Sequence, residues 1–219
     1  MIDLQGKGEI ARFSTAVLYD AARRLGLEIG LRGVSPIAAG LRLAAPAYTV
    51  GFIPTGQRPK SGQNFYDIIN GAPKGSALVF GANVDRWLFG GNLSLFAQLS
   101  GIAGMVLDGC LRDIAELRER GYPVFSSGVS VSGYSRDRML GELGGTIVCG
   151  EVTVATGDVV VGDDDGVVCL PAARVDDILF QAEDILELDL KLARDIESRR
   201  PLASLHETRL RWSVPRSPS

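Results

Sequence analysis

The stretch GMVLDGCLRDIAELRERGYPVF, residues 104–125, constrains the fold more tightly than any other part of the chain. Gly104 to Leu107 is apolar and reads as a buried strand. Arg112 to Arg120 carries Ile114 and Leu117 at the spacing of one helical face, and Gly121 supplies the residue that ends a helix in the left-handed region. Pro123 to Phe125 then opens the next strand. Strand, helix and strand in direct succession belong to a layered α/β arrangement, and such sheets hold ligands at the carboxyl ends of their strands. Asp108, Arg112 and Asp113 are expected to emerge at that edge.

The remaining segments fit the same scheme. Ser14 and Thr15 can cap a helix over residues 15–25, with Val17, Leu18, Ala21, Ala22 and Leu25 as its apolar face and Gly26 just past its end. Ala47–Phe52 and Ser76–Phe80 read as strands. Gly90 and Gly91 open onto a helix starting at Asn92, where Leu93, Phe96 and Leu99, with Leu95 beside them, follow a helical period. From Thr146 to Leu170 short β-prone pieces alternate with Gly and Asp, and Pro171–Ser198 is a long amphipathic helix. The whole of 1–219 is expected to form one domain, with 200–219 a tail that covers a neighbouring subunit or frays.

Composition narrows the function. Lys and Arg total 23 against 26 Asp and Glu, with no basic block to meet a phosphate backbone, which argues against nucleic acid. No apolar run approaches the roughly 20 residues of a membrane helix, and the MIDLQGKGEI start lacks a signal pattern, so a cytoplasmic location is expected. Cys110, Cys149 and Cys169 are odd in number and widely spaced, as buried thiols are, and suit neither a disulfide framework nor a zinc site. A single histidine, His206, excludes a His-rich metal cage and reads as a surface or interface residue. Any metal or acid–base chemistry must therefore rest on carboxylates and arginine.

The glycine turn and the charged knot together could supply it. A helix starting at Asn92 leaves backbone N–H groups free to receive a carboxylate, and Arg112 can grip that group through two parallel hydrogen bonds. Asp113 beside it can hold a Mg²⁺ ion that keeps most of its waters. The plainer alternative has Asp108 capping a turn, Arg112 pairing with an acid and Asp113 sitting in a first helical turn; the residues alone do not choose between the two. GDDDG, residues 162–166, is read as a solvated turn, because adjacent side chains in an extended segment alternate faces. Ser126, Ser127 and Ser130 lack a nearby base, which argues against nucleophilic catalysis.

Four motifs, FSTAVLYDAARRLG, FGGNLSLFAQLSGIAGMVLDGCLRD, PVFSSG and GDVVVGDDDGVVCLP, resemble those of the RraA-like proteins, a family that includes 4-hydroxy-4-methyl-2-oxoglutarate aldolases. The resemblance covers nearly the whole chain. It implies a compact α/β sandwich related to the swivelling β/β/α domain, with an N-terminal helix and a long C-terminal helix, assembled as a homotrimer or hexamer with sites at subunit boundaries. It further implies a class II aldolase that uses Mg²⁺ or Mn²⁺ to release pyruvate from a small 2-oxo acid and that also decarboxylates oxaloacetate. In that scheme Arg112 binds the carboxylate and carbonyl region, Asp113 holds the metal, and the backbone of Gly91, Asn92, Leu93 and Ser94 receives the carboxylate. Asp108 supports the loop or the metal waters.

One departure leaves the proton shuttle unassigned. Family aldolases often carry an acid where this chain has Gly91, and they borrow another from a neighbouring C-terminal region, where Glu207 beside His206 is only a loose match. Two other readings stand beside the aldolase: a non-catalytic regulator that binds a ribonuclease, and a biosynthetic enzyme for another 2-oxo acid. For the latter, residues 64–70 and 84–89 are the segments expected to shape a different pocket.

Overall fold

The computed structural model describes residues 10–56, 64–133 and 138–217. All but the last residue of the MIDLQGKGEI start lies outside them. Helix α1, Thr15–Arg24, begins where the sequence places it: the Ser14 side chain accepts a hydrogen bond from the Val17 N–H at 3.3 Å. Gly26, at φ +73°, turns the chain away after it.

The strands are longer than their apolar runs suggest. After a two-residue β1, Ser35–Pro36, strand β2 covers Leu43–Pro54. Residues 64–70 form helix α2, Phe65–Gly71, capped by Asn64 and Asp67, with Ile68 and Ile69 buried. Strand β3, Ala77–Phe89, takes in the VDRWLF segment, and β4 runs Gly104–Leu111. Asp108 is therefore inside a strand and not at its end. Past Gly81 the pairing of β3 with β4 shifts register three times, which carries Gly90 and Gly91 up beside the end of β4.

Helix α3 spans Gly91–Leu99, but its inward face differs from the leucine pattern. Gly91, Ser94 and Ala97 are buried, whereas Leu99 is 78% exposed. The small side chains let α3 lie close to its neighbours, so the bulky ones turn outward. Helix α4, Ile114–Arg120, buries Leu117 and stops at Gly121, φ +64°. Strands β5 (Val124–Val129), β6 (Arg138–Leu143), β7 (Thr146–Cys149), β8 (Val152–Ala155), β9 (Val159–Asp163) and β10 (Gly166–Leu170) follow.

Among the described residues, eight strands form one sheet in the order β1-β5-β4-β3-β2-β9-β10, with β6 beside the far half of β2. The central pairs β2–β3, β3–β4 and β4–β5 are parallel, so the β3 and β4 ends and the loops after them open on one edge. The β7–β8 hairpin packs over the sheet where Gly81 leaves room for Ile147 and the Val148 carbonyl. A large apolar core lies about this sheet, and a second joins α1 and β9–β10 to helix α5, Val175–Glu197.

The tail is also more ordered than its composition suggests. Leu202–Trp212 forms helix α6, which folds back onto the same chain. Arg24, with a side chain only 2% exposed, pairs with Asp184 at 2.8 Å and donates to the Trp212 and Arg211 carbonyls. Gln181 holds the backbone of Arg216 from both sides.

Candidate active site at the β4–α4 turn

Arg112 and Asp113 occupy the turn between β4 and α4. Asp113 has left-handed backbone angles, φ 62° and ψ 38°, a conformation that costs most residues about 1–2 kcal/mol and that Asp tolerates better than most. The turn aims its carboxylate away from its own helix and at the glycine pair, where Oδ2 accepts the Gly91 N–H at 3.0 Å. A Cβ at Gly90 would collide with that oxygen and lie 3.0 Å from Arg112 Cγ, so a side chain there would displace both groups.

Arg112 is half exposed, with Nε 3.7 Å from Asp113 Oδ2 and its guanidinium 4.1 Å above the Trp87 ring. Trp87 is itself fixed, since its Nε1 donates to the Val131 carbonyl at 3.1 Å and its backbone N–H to Ser132 at 2.9 Å. The cation–π contact covers one side of the guanidinium, and the half-exposed remainder can meet an anion.

The four backbone amides expected to receive a carboxylate divide into two sets. Gly91 donates to Asp113 and Ser94 donates to the Gly90 carbonyl at 3.2 Å, while Asn92 and Leu93 are first-turn donors without a helical acceptor. Ser94 is buried, and its hydroxyl donates to the Gly91 carbonyl at 2.8 Å. Arg120 binds that carbonyl at 2.9 Å, the Ser94 Oγ at 2.7 Å and Glu116 Oε1 at 2.6 Å. The Glu116 carboxylate thereby fills the space a side chain at Gly91 would take: a Cβ there would stand 2.6 Å from Glu116 Cδ.

Asp108 points elsewhere. Its Oδ2 accepts the Gly150 N–H at 3.0 Å, tying the β7–β8 turn to the sheet, and it lines a cavity of about 520 Å³ with Arg32, Asn83, Arg138 and Glu151. GDDDG forms the expected turn, between β9 and β10, with Asp164 and Asp165 exposed, and only its first acid departs from that reading. Asp163 is buried and accepts the Thr15 N–H and hydroxyl at 2.9 and 2.6 Å, Asp164 accepts from Gly40, and the three acids do not converge. His206 and Glu207 are exposed on α6. All three cysteines are buried and unpaired; burial pushes their thiols above the usual range, with Asp108 adding to Cys149, Asp158 to Cys169 and Asp85 to Cys110.

The donor set suits a hard cation held lightly. Among the described residues no three His, Cys, Asp or Glu side chains gather as a metal cage. Asp113 is partly exposed with one oxygen tied to an amide, which fits an ion that takes one carboxylate and fills its shell with water and substrate.

Trp87 lies in the 84–89 segment expected to shape a pocket, whereas Glu116 and Arg120 carry no site signal of their own in the sequence. The i, i+4 spacing of Glu116 and Arg120 was readable, but nothing in it shows that the pair reaches across to α3.

A family model described as RraA-like, Aldolase/RraA, matches residues 15–169. The chain belongs to the RraA-like family. Protein DlpA of Legionella pneumophila is 30% identical to this RraA-like chain over 78% of it and 28% of DlpA. A Halalkalibacterium halodurans protein provisionally named 4-hydroxy-4-methyl-2-oxoglutarate aldolase is 33% identical over 51% of the chain and 54% of its own length. The chain thus spans under a third of one relative and about half of the other. The crystal structure of Streptomyces coelicolor RraAS2, described as an unusual member of the RNase ES inhibitor RraA family, matches at TM-score 0.79 and 26% identity, over 89% of this chain and 98% of that one. The expected RraA-like α/β fold, with its N-terminal helix and long C-terminal helix, is the one observed.

Proposed function

We propose that this protein is a divalent-metal-dependent lyase that cleaves a 4-hydroxy-2-oxo acid to pyruvate, with oxaloacetate decarboxylation as a second activity of the same site. The observation that carries this reading is the Arg112 guanidinium, 4.1 Å over the Trp87 ring, beside an Asp113 carboxylate tied to the first amide of α3. The aldolase name of the H. halodurans relative supports it.

Arg112 stays charged at any working pH and would grip the substrate carboxylate through its free edge. The Asn92 and Leu93 amides would complete the cradle and fix the 2-oxo group in one orientation. Asp113 would hold Mg²⁺ or Mn²⁺, whose chemistry when bound is to draw electron density from the 2-oxo oxygen. Trp87 excludes water from one side of the guanidinium, which strengthens its hold on the anion. Breaking the bond at C3 sends its electron pair toward the 2-oxo oxygen as an enolate, so the same cradle serves both reactions. We place the protein in the cytoplasm as a homotrimer or hexamer; no described helix is long and apolar enough to cross a membrane.

Pyruvate release from oxaloacetate and from 4-hydroxy-4-methyl-2-oxoglutarate, coupled to lactate dehydrogenase with and without EDTA, tests the reading. Arg112→Ala should remove metal-dependent release by about 100-fold or more while the circular dichroism spectrum is kept. Unchanged release would overturn the assignment. The likeness to RraAS2 supports a second reading, a regulator that captures a ribonuclease, for which Arg112→Ala should leave capture intact.

A further inference from the structure

We propose that Glu116 is the proton carrier of this site, standing in the space left open by Gly91. The inference rests on the lyase reading above and adds the group that reading leaves out. Cleaving a 4-hydroxy-2-oxo acid needs a base for the C4 hydroxyl proton and an acid to return a proton to C3. Arg112 does not give up its proton, and Asp113 is committed to the Gly91 amide and to the cation. A further carboxylate is required on the same side of α3.

The glycine pair shows where it is. Gly90 and Gly91 each lack a side chain, and each gap is filled by one carboxylate from the α4 segment: Asp113 over Gly90 and Glu116 over Gly91. The three atoms nearest to a Cβ at Gly91 all belong to Glu116, Oε2 first, then Cδ at 2.6 Å and Oε1 at 2.8 Å. Arg120 anchors that Oε1 and, through the Gly91 carbonyl and Ser94 Oγ, locks it to the turn that carries the free Asn92 and Leu93 amides. Glu116 Oε2 makes no hydrogen bond among the described residues, and the side chain is 51% exposed, open to an arriving substrate. Arg120 thus holds one oxygen, and the other lies over the Gly91 gap without a hydrogen bond among the described residues.

The step balances without any other reactant. Glu116 carboxylate takes the C4 hydroxyl proton; the O–H electron pair forms the new C4 carbonyl, the C3–C4 bond breaks, and its pair forms the enolate. The carbonyl product leaves. Glu116, now protonated, returns the proton to C3, giving pyruvate and the starting carboxylate. Decarboxylation of oxaloacetate differs, because CO₂ departs without a base and the enolate left behind takes its C3 proton from water.

That difference supplies the test. Glu116→Gln keeps an oxygen for Arg120 but cannot accept a proton, and should slow retro-aldol cleavage about 100-fold while oxaloacetate loss falls less than about fivefold. Exchange of pyruvate C3 protons in D₂O, followed by NMR, should fall with the cleavage rate. Mn²⁺ binding, read by electron paramagnetic resonance, should stay unchanged. Glu116→Ala combined with Gly91→Asp returns a carboxylate to the same space and should recover at least about tenfold over Glu116→Ala alone. Wild-type cleavage by Glu116→Gln would overturn the proposal, as would an equal loss of both reactions with no recovery in the double variant. If the wild-type protein with Mn²⁺ neither cleaves nor decarboxylates, the lyase reading fails first and this proposal falls with it.

Discussion

A methyl group at position 90 would meet Asp113 Oδ2 and press on Arg112 Cγ, so Gly90→Ala should push both side chains out of place. The two are half exposed and can swing into solvent, so turnover should fall about tenfold or more while thermal stability changes by under about 1 kcal/mol. Differential scanning fluorimetry beside the coupled assay checks both halves of that expectation. Trp87→Ala removes the surface on which the guanidinium rests, worth about 1 kcal/mol, and should raise the KM for the oxo acid about fivefold. The cysteines make a contrasting case. Burial holds their thiols protonated above the usual range, so none should react with Ellman's reagent in the native protein at neutral pH, and all three should in guanidinium chloride. Arg112 and Asp113 were legible in the sequence because their charges break an apolar pattern. Glu116 was not, because on its own helix it is an ordinary exposed acid paired with Arg120, and its meaning comes from a glycine on another helix.

The elements that the sequence conceals fail to show for separate physical reasons. Strand β3 runs on through Asp85 and Arg86 because its register shifts let polar residues turn outward, and that breaks the alternation by which a strand is recognised. Helix α3 hides its packing face in Gly91, Ser94 and Ala97, residues too small to mark a hydrophobic stripe. Asp163 shows how a polar residue can be structural: it receives the first N–H of α1 and the Thr15 hydroxyl, and it accepts the Asp165 N–H at 3.1 Å. Asp163→Ala would strand those donors in a buried place and should cost about 2 kcal/mol, visible as a lower urea midpoint with an unchanged slope. The helices with wide apolar stripes, α1 and α5, appear within a few residues of where periodicity places them.

Across the whole molecule, the far end of the chain is fastened to its beginning. Arg24 on α1 holds α6 through two carbonyls and α5 through Asp184, and the ring nitrogen of Trp212 donates to Asp20 at 3.2 Å. Among the described residues, Arg24→Ala leaves the buried Asp184 with only the Arg211 cation, 3.9 Å away, and should cost about 3 kcal/mol while making the 198–202 connection an early site of proteolysis. The latch and the clamp also divide the chain's indole groups between them. There are two tryptophans; Trp87 lies under the Arg112 guanidinium and Trp212 lies in the latch. Intrinsic emission is therefore a two-channel signal: in a Trp212→Phe background oxalate should alter the light from the proposed anion clamp alone, and in a Trp87→Phe background mild denaturant should report the arm lifting away, with no dye attached to either.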